Sequence, residues 1–100
     1  MANEIAIALA AAVGVLMVFN YSSLQMRLSS YKVYSPGNVI GYQNNGRYIF
    51  ESNYNIPGFE IQYKTNVTRL SNAVYWASLN PDCNFFVFDS INKTVSLKKY

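Results

Sequence analysis

The chain has 100 residues, a formal charge of +3, 51% hydrophobic residues, one cysteine and no histidine. That length supports one domain core, and a lone thiol excludes an internal disulfide, which favours a reducing compartment. The absence of histidine excludes His-based acid–base catalysis and His metal sites, while a charged fraction of 13% is too sparse for the basic patch of a nucleic-acid binder.

The first predicted element is IAIALAAAVGVLMVFNY, from Ile5 to Tyr21, an uncharged run that holds most of the chain's aliphatics. About 17 residues at 1.5 Å rise give roughly 26 Å, enough for the hydrocarbon core of a thin bilayer. We read residues 1–30 as an N-terminal membrane-anchor helix in which Ile5, Ile7, Leu9, Val13, Val15, Leu16, Val18 and Phe19 face lipid. A cleaved signal peptide is the rival reading, but Glu4 is the only charged side chain before the run and the usual basic leader is missing. Ala6, Ala10 and Gly14 recur every fourth residue, a small-residue face suited to close helix packing or a chance product of Ala richness. Packing within a protein assembly would suit the same segment. Arg27 and Lys32 follow the run and no Lys or Arg precedes it, so the positive-inside rule keeps the C-terminal domain on the cytoplasmic side.

The helix is expected to continue through SSLQMRLSS, with Leu24 and Leu28 on one face, and to stop near Ser29 and Ser30. Beyond it, YKVY, VIGYQ, RYIFE and FEIQY read as strands, separated by SPGN, NNG and SNYNIPG as turns. Asn45-Gly46 between two of those strands signals a tight hairpin, because both residues tolerate positive φ. From Thr65 to Leu79, Val67, Leu70, Ala73, Val74 and Ala77 fall at helical spacing, with Thr65, Asn66 or Thr68 as N-cap and Pro81 as the stop. NFFVFD then suits a central strand buried on both faces, with TVSLKK as its antiparallel partner. The predicted class is α+β: an N-terminal transmembrane helix, then a small antiparallel sheet packed against one helix over residues 31–100.

From Asn55 to Lys98 the chain resembles the PAN/apple family. Those modules open with a Pro-Gly-aromatic-acid-Ile phrase, seen here as Pro57-Gly58-Phe59-Glu60-Ile61. They continue with a helix bearing two cysteines four apart, a third after a short Asn/Pro turn, an aromatic strand and Thr-Cys-x-Leu-Lys. Here the helix positions hold Ala73 and Ala77, the third holds Cys83 after Asn80-Pro81-Asp82, and the last holds Val95 between Thr94 and Ser96. The resemblance implies a helix-on-sheet fold and a binding or adhesion module for protein or carbohydrate, without catalytic machinery. Small apolar residues at three of the four cysteine positions imply a core held by packing, and they put a secreted role in doubt.

No constellation for chemistry emerges. Glu51, Glu60, Asp82 and Asp89 are scattered, the glycines form no phosphate-binding series, and Cys83 without histidine reads as a buried thiol. No cofactor, metal or small-molecule substrate is expected. Tyr31, Tyr34, Tyr42, Tyr48, Tyr54 and Tyr63 crowd the strand region and are candidate partner contacts, although strand propensity alone favours Tyr. Lys93, Lys98 and Lys99 read as a basic C-terminal edge, and Asn66-Val67-Thr68 and Asn92-Lys93-Thr94 match the glycosylation triplet.

The expected function is structural: a membrane-anchored tether or scaffold that contacts lipid through its N-terminus and docks onto other structural proteins in a hetero-assembly. A minor capsid protein linking the shell and inner membrane of a large DNA virus is one setting that combines these demands. The alternatives are a cell-surface PAN-type recognition module, binding protein or carbohydrate, and a pilin-like filament subunit with the N-terminal helix in the fibre core.

Overall fold

The computed structural model describes residues 22–100. The predicted anchor positions Ile5, Ile7, Leu9, Val13, Val15, Leu16, Val18 and Phe19, and the small face of Ala6, Ala10 and Gly14, lie outside the described residues. Among the described residues no helix is long and apolar enough to cross a membrane.

A short helix, α1 (Ser23–Leu28), opens the described chain and tightens into a 3₁₀ turn at Ser29–Tyr31. Strands β1 (Val33–Asn44), β2 (Arg47–Asn55) and β3 (Glu60–Thr65) follow, then helix α2 (Leu70–Leu79) and strands β4 (Phe85–Asp89) and β5 (Thr94–Lys98). The strands form one sheet in the order β2-β1-β4-β5-β3, and every pairing is antiparallel. The class is α+β, as expected from the strand–helix–strand order.

Strand β4 lies at the centre of the sheet and neither of its faces is wet. Phe86 and Phe88 point into a core with Val67, Ala73, Ala77, Cys83, Val95 and Leu97, roofed by α2. Phe85 and Val87 point the other way, into a core with Leu28, Ile40, Tyr42 and Ile56. The second core is closed by α1, which supplies the fully buried Leu28, and by the β2–β3 connection, which supplies Ile56 and Phe59. The sheet is thus covered by two helices, one more than the sequence reading assigns to it.

The Asn45-Gly46 turn forms as expected, with φ of 53° and 80° at its two residues. The predicted SPGN turn does not reverse the chain: β1 runs through it as an irregularity in the β1–β2 register between Tyr34 and Val39. Gly37 there takes φ 89°, a region that costs glycine little, and its carbonyl accepts from Ser90 N at 3.0 Å. Helix α2 starts at Leu70, not at Thr65, and its N-cap is Arg69 rather than Thr65, Asn66 or Thr68. Thr65 ends β3, Asn66 takes φ 59°, and the Val67 N–H donates to Lys93 O at 2.9 Å, which keeps this stretch out of the helix despite its helical spacing. The basic C-terminal edge is also corrected. Strand β5 is flanked by β4 and β3, and Lys98 is buried, its ammonium donating to the Ile56 carbonyl while Lys99 remains exposed.

The Phe86 ring packs closely against Gly41 of β1, where an added Cβ would collide with it. Tyr48 and Phe50 flank the same ring at centroid distances of 5.4 and 6.4 Å. Gly41→Ala is expected to lower stability by about 1–3 kcal/mol through overpacking, read from the urea midpoint, and Gly41→Ala with Phe86→Leu to recover part of that loss. An unchanged midpoint for Gly41→Ala would contradict this close approach.

Candidate docking surface

The residues that fasten α1 to the sheet define one side of the molecule. The Ser22 hydroxyl caps the helix by accepting from Gln25 N at 2.9 Å, a local bond that a six-residue helix needs because it is marginal alone. Glu51 of β2 then receives two donors from different segments. Gln25 Nε2 donates to its Oε2 at 2.7 Å, and Lys32 Nζ binds its Oε1. Lys32 also lies 4.7 Å over the Tyr54 ring, so one carboxylate and one aromatic face hold both the helix and the residue after the 3₁₀ turn.

Beneath α1, Tyr42 is fully buried and its hydroxyl has no hydrogen-bond partner among the described residues. Burial, reinforced by the Glu51 charge, pushes its pKa far above the ordinary tyrosine value. Tyr42 is therefore a core residue and not a partner contact, in contrast to the sequence reading. Its side chain is hidden because the sheet has a second covered face, which the strand pattern alone does not reveal.

The other five candidate tyrosines divide by position. Tyr34 is 71% exposed and packs edge-on against the half-buried Tyr54, with centroids 5.8 Å apart. Tyr31 is half exposed and meets Phe59 and Tyr100 at 5.4 and 6.5 Å, forming an aromatic patch beside the 3₁₀ turn. Tyr48 is half-buried on Phe86 on the α2 side, and Tyr63 is exposed on β3. Tyr31, Tyr34 and Tyr54, together with Lys32, thus form an aromatic and cationic surface directly after the helix that leads in from the N-terminal segment. Phe59 and Tyr100 belong to this surface and are missing from the sequence reading. Both sit at loop or terminal positions that carry no periodic signal.

Among the described residues, two clefts elsewhere stand out. One of about 430 Å³ opens between the hairpin tip and the end of α2, lined by Gln43, Tyr48, Ser78, Asn80, Cys83 and Asn84 among others. Among the described residues its lining carries no carboxylate and no cation, so they offer hydrogen bonding without a charged acid or base. The other, of about 260 Å³, borders Trp76, whose ring is covered by Lys64 Nζ at 4.4 Å. Among the described residues no group of three acidic, Cys or His side chains is placed to hold a metal.

The residues aligned with the PAN/apple pattern have mixed settings. Pro57 and Gly58 lie exposed in the β2–β3 connection, where Gly58 takes φ 83°. Ala73, Ala77, Cys83 and Val95 all lie in the one buried cluster beneath α2. The Cys83 thiol donates to Phe85 O at 3.2 Å, and burial pushes its pKa up against opposing backbone hydrogen bonds from Lys98 and Phe85. No family model, curated protein or solved structure matches the chain.

Two outcomes follow from these contacts. Trypsin cleavage after the exposed Arg27 requires α1 to open, and Glu51→Ala is expected to speed it about tenfold by stranding Gln25 and Lys32. Equal cleavage rates would show that Glu51 does not fasten the helix. The native Cys83 thiol is expected to resist an aromatic disulfide reagent at pH 8 and to react fully once urea unfolds the chain; rapid native reaction would contradict its burial.

Proposed function

We propose that this protein is a non-enzymatic tether, in which an apolar N-terminal segment engages a membrane and the α+β domain docks onto neighbouring structural proteins. The observation that carries the reading is that α1, the element next in sequence after the apolar run, is built into the sheet's second core. In sequence the apolar run ends at Tyr21 and α1 begins at Ser23, with Ser22 as its extended N-cap, so a single residue separates them. Leu28 is fully buried in the sheet's second core, and Glu51 holds Gln25 and Lys32. Pulling on α1 therefore loads the sheet itself. A recognition module on a mobile stalk would have no need of this attachment.

The aromatic surface of Tyr31, Tyr34, Tyr54 and Tyr100 supports docking, since tyrosine combines large contact area with a polar tip. The clustering of Ala73, Ala77, Cys83 and Val95 supports a PAN/apple-like core whose disulfides are replaced by packing. A reducing, cytoplasmic-side setting agrees with that replacement, and the shell-to-membrane layer of a large DNA virus is one assembly that would use it. Asn92 offers little to the glycosylated alternative, because its side-chain amide is held by Asp89 Oδ2 at 2.8 Å.

Expression of the full chain with microsomes, followed by protease with and without detergent, tests the reading. A membrane-bound chain whose C-terminal domain is digested without detergent and carries no glycan is the expected result. A protected domain glycosylated at Asn66 or Asn92 would overturn the tether in favour of the surface recognition module.

A further inference from the structure

Among the described residues the sheet has two open edges, β2 and β3, and they differ in how they are guarded. Strand β3 carries a register irregularity between Glu60 and Gln62, and edge bulges of this kind discourage further pairing. Strand β2 is longer, and from Arg47 to Ser52 its register with β1 is unbroken. That stretch, RYIFES, contains no proline, lysine or bulge, and Phe50 on it is 46% exposed.

The pairing of β1 with both neighbours fixes the direction of the free backbone groups of β2. Gln43 N donates to Asn84 O at 2.9 Å, so Val39, Gly41 and Gln43 of β1 turn their backbone groups toward β4. Antiparallel pairing alternates, so Ile40, Tyr42 and Asn44 bond to their β2 partners Glu51, Ile49 and Arg47. The backbone groups of Tyr48, Phe50 and Ser52 therefore point outward.

We propose that this edge pairs with the same edge of a second copy of the chain, antiparallel, about a two-fold axis at Ile49. In that register Tyr48 of each copy lies opposite Phe50 of the other, and the two pairs exchange four N–H···O bonds through the outward groups. Arg47 lies opposite Glu51 of the second copy on both sides of the axis. Glu51 already binds Lys32 and Gln25, but a carboxylate has about four acceptor sites and can take a further donor. Other centres lose this match. An axis at Glu51 sets two carboxylates opposite each other, one at Arg47 sets two guanidiniums opposite each other, and one at Phe50 forms no ion pair. Sequence symmetry about Ile49 thus fixes the register of an isologous contact that extends the sheet to ten strands. The axis is normal to the sheet, so both α1 helices lie on the same side of it. The inference does not depend on the tether reading.

Ile49→Cys tests it in the full chain in detergent micelles, with mild oxidation and Cys83 buried as an inert background. The two introduced thiols would face each other across the axis as a non-hydrogen-bonded pair, and a covalent dimer is expected. Ser52→Cys is the register control: it sits on the same edge, but its two copies would be about 20 Å apart at 3.4 Å per residue, so no dimer is expected. Arg47→Glu in the Ile49→Cys background is expected to abolish the covalent dimer, and light scattering of the unmodified chain is expected to give twice the chain mass. Equal cross-linking at positions 49 and 52, or a single-chain mass at every concentration, would overturn the proposal.

Discussion

A central strand with no wet face sets the terms for the rest of this molecule. Strand β4 presents Phe85 and Val87 to one side of the sheet and Phe86 and Phe88 to the other, all buried. Each of these side chains contributes on the order of 2 kcal/mol only if a cover excludes water from it. Helix α2 provides one cover. The other comes from α1 with the β2–β3 connection, and without Leu28, Ile56 and Phe59 the second aromatic face would lie open. The segment that joins the N-terminal run to the domain is for this reason part of the core.

That requirement links fold to proposed function. A six-residue helix does not persist alone, so its order derives from Leu28 packing, the Ser22 cap and the Glu51 contacts. On the proposed tether reading the same contacts would carry force from α1 into the five-stranded sheet. Antiparallel pairing spreads such a load from β2 through β1 to β4. Tyr31, Lys32 and Tyr34 fall beside α1 because they closely follow it in sequence, and on the proposed tether reading a docking partner would meet the domain on that side.

Much of the architecture is legible where one local signal agrees with the tertiary environment. Asn45-Gly46 forms its turn because positive φ is needed there, and FFVF reads as a doubly buried strand because it is apolar on both alternating faces. Ala73 and Ala77 point inward as their spacing suggests. Legibility fails where a distant contact decides the outcome. The helical spacing at Val67 is overridden by its bond to Lys93 O, and the SPGN segment stays in β1 because Ser90 holds the Gly37 carbonyl. Lys98 looks like surface by residue type, but its position between two strands buries it over Ile56. Tyr42 misleads for the related reason that nothing in residues 31–100 reveals that α1 covers its face. The second half of the candidate surface, Phe59 and Tyr100, depends on the same cover.

Native-state hydrogen exchange on the full chain tests most directly whether α1 is integral to the core. The Met26 N–H, bonded to Ser22 O at 3.1 Å, reports on the helix, and the β4 amides report on the centre of the sheet. If α1 is the obligatory cover, Met26 exchanges with protection approaching that of β4, because opening the helix exposes the second core. Exchange of Met26 near the unprotected rate while β4 stays protected would contradict the account, since the sheet would then stand without α1 and the N-terminal segment would be joined to it only loosely.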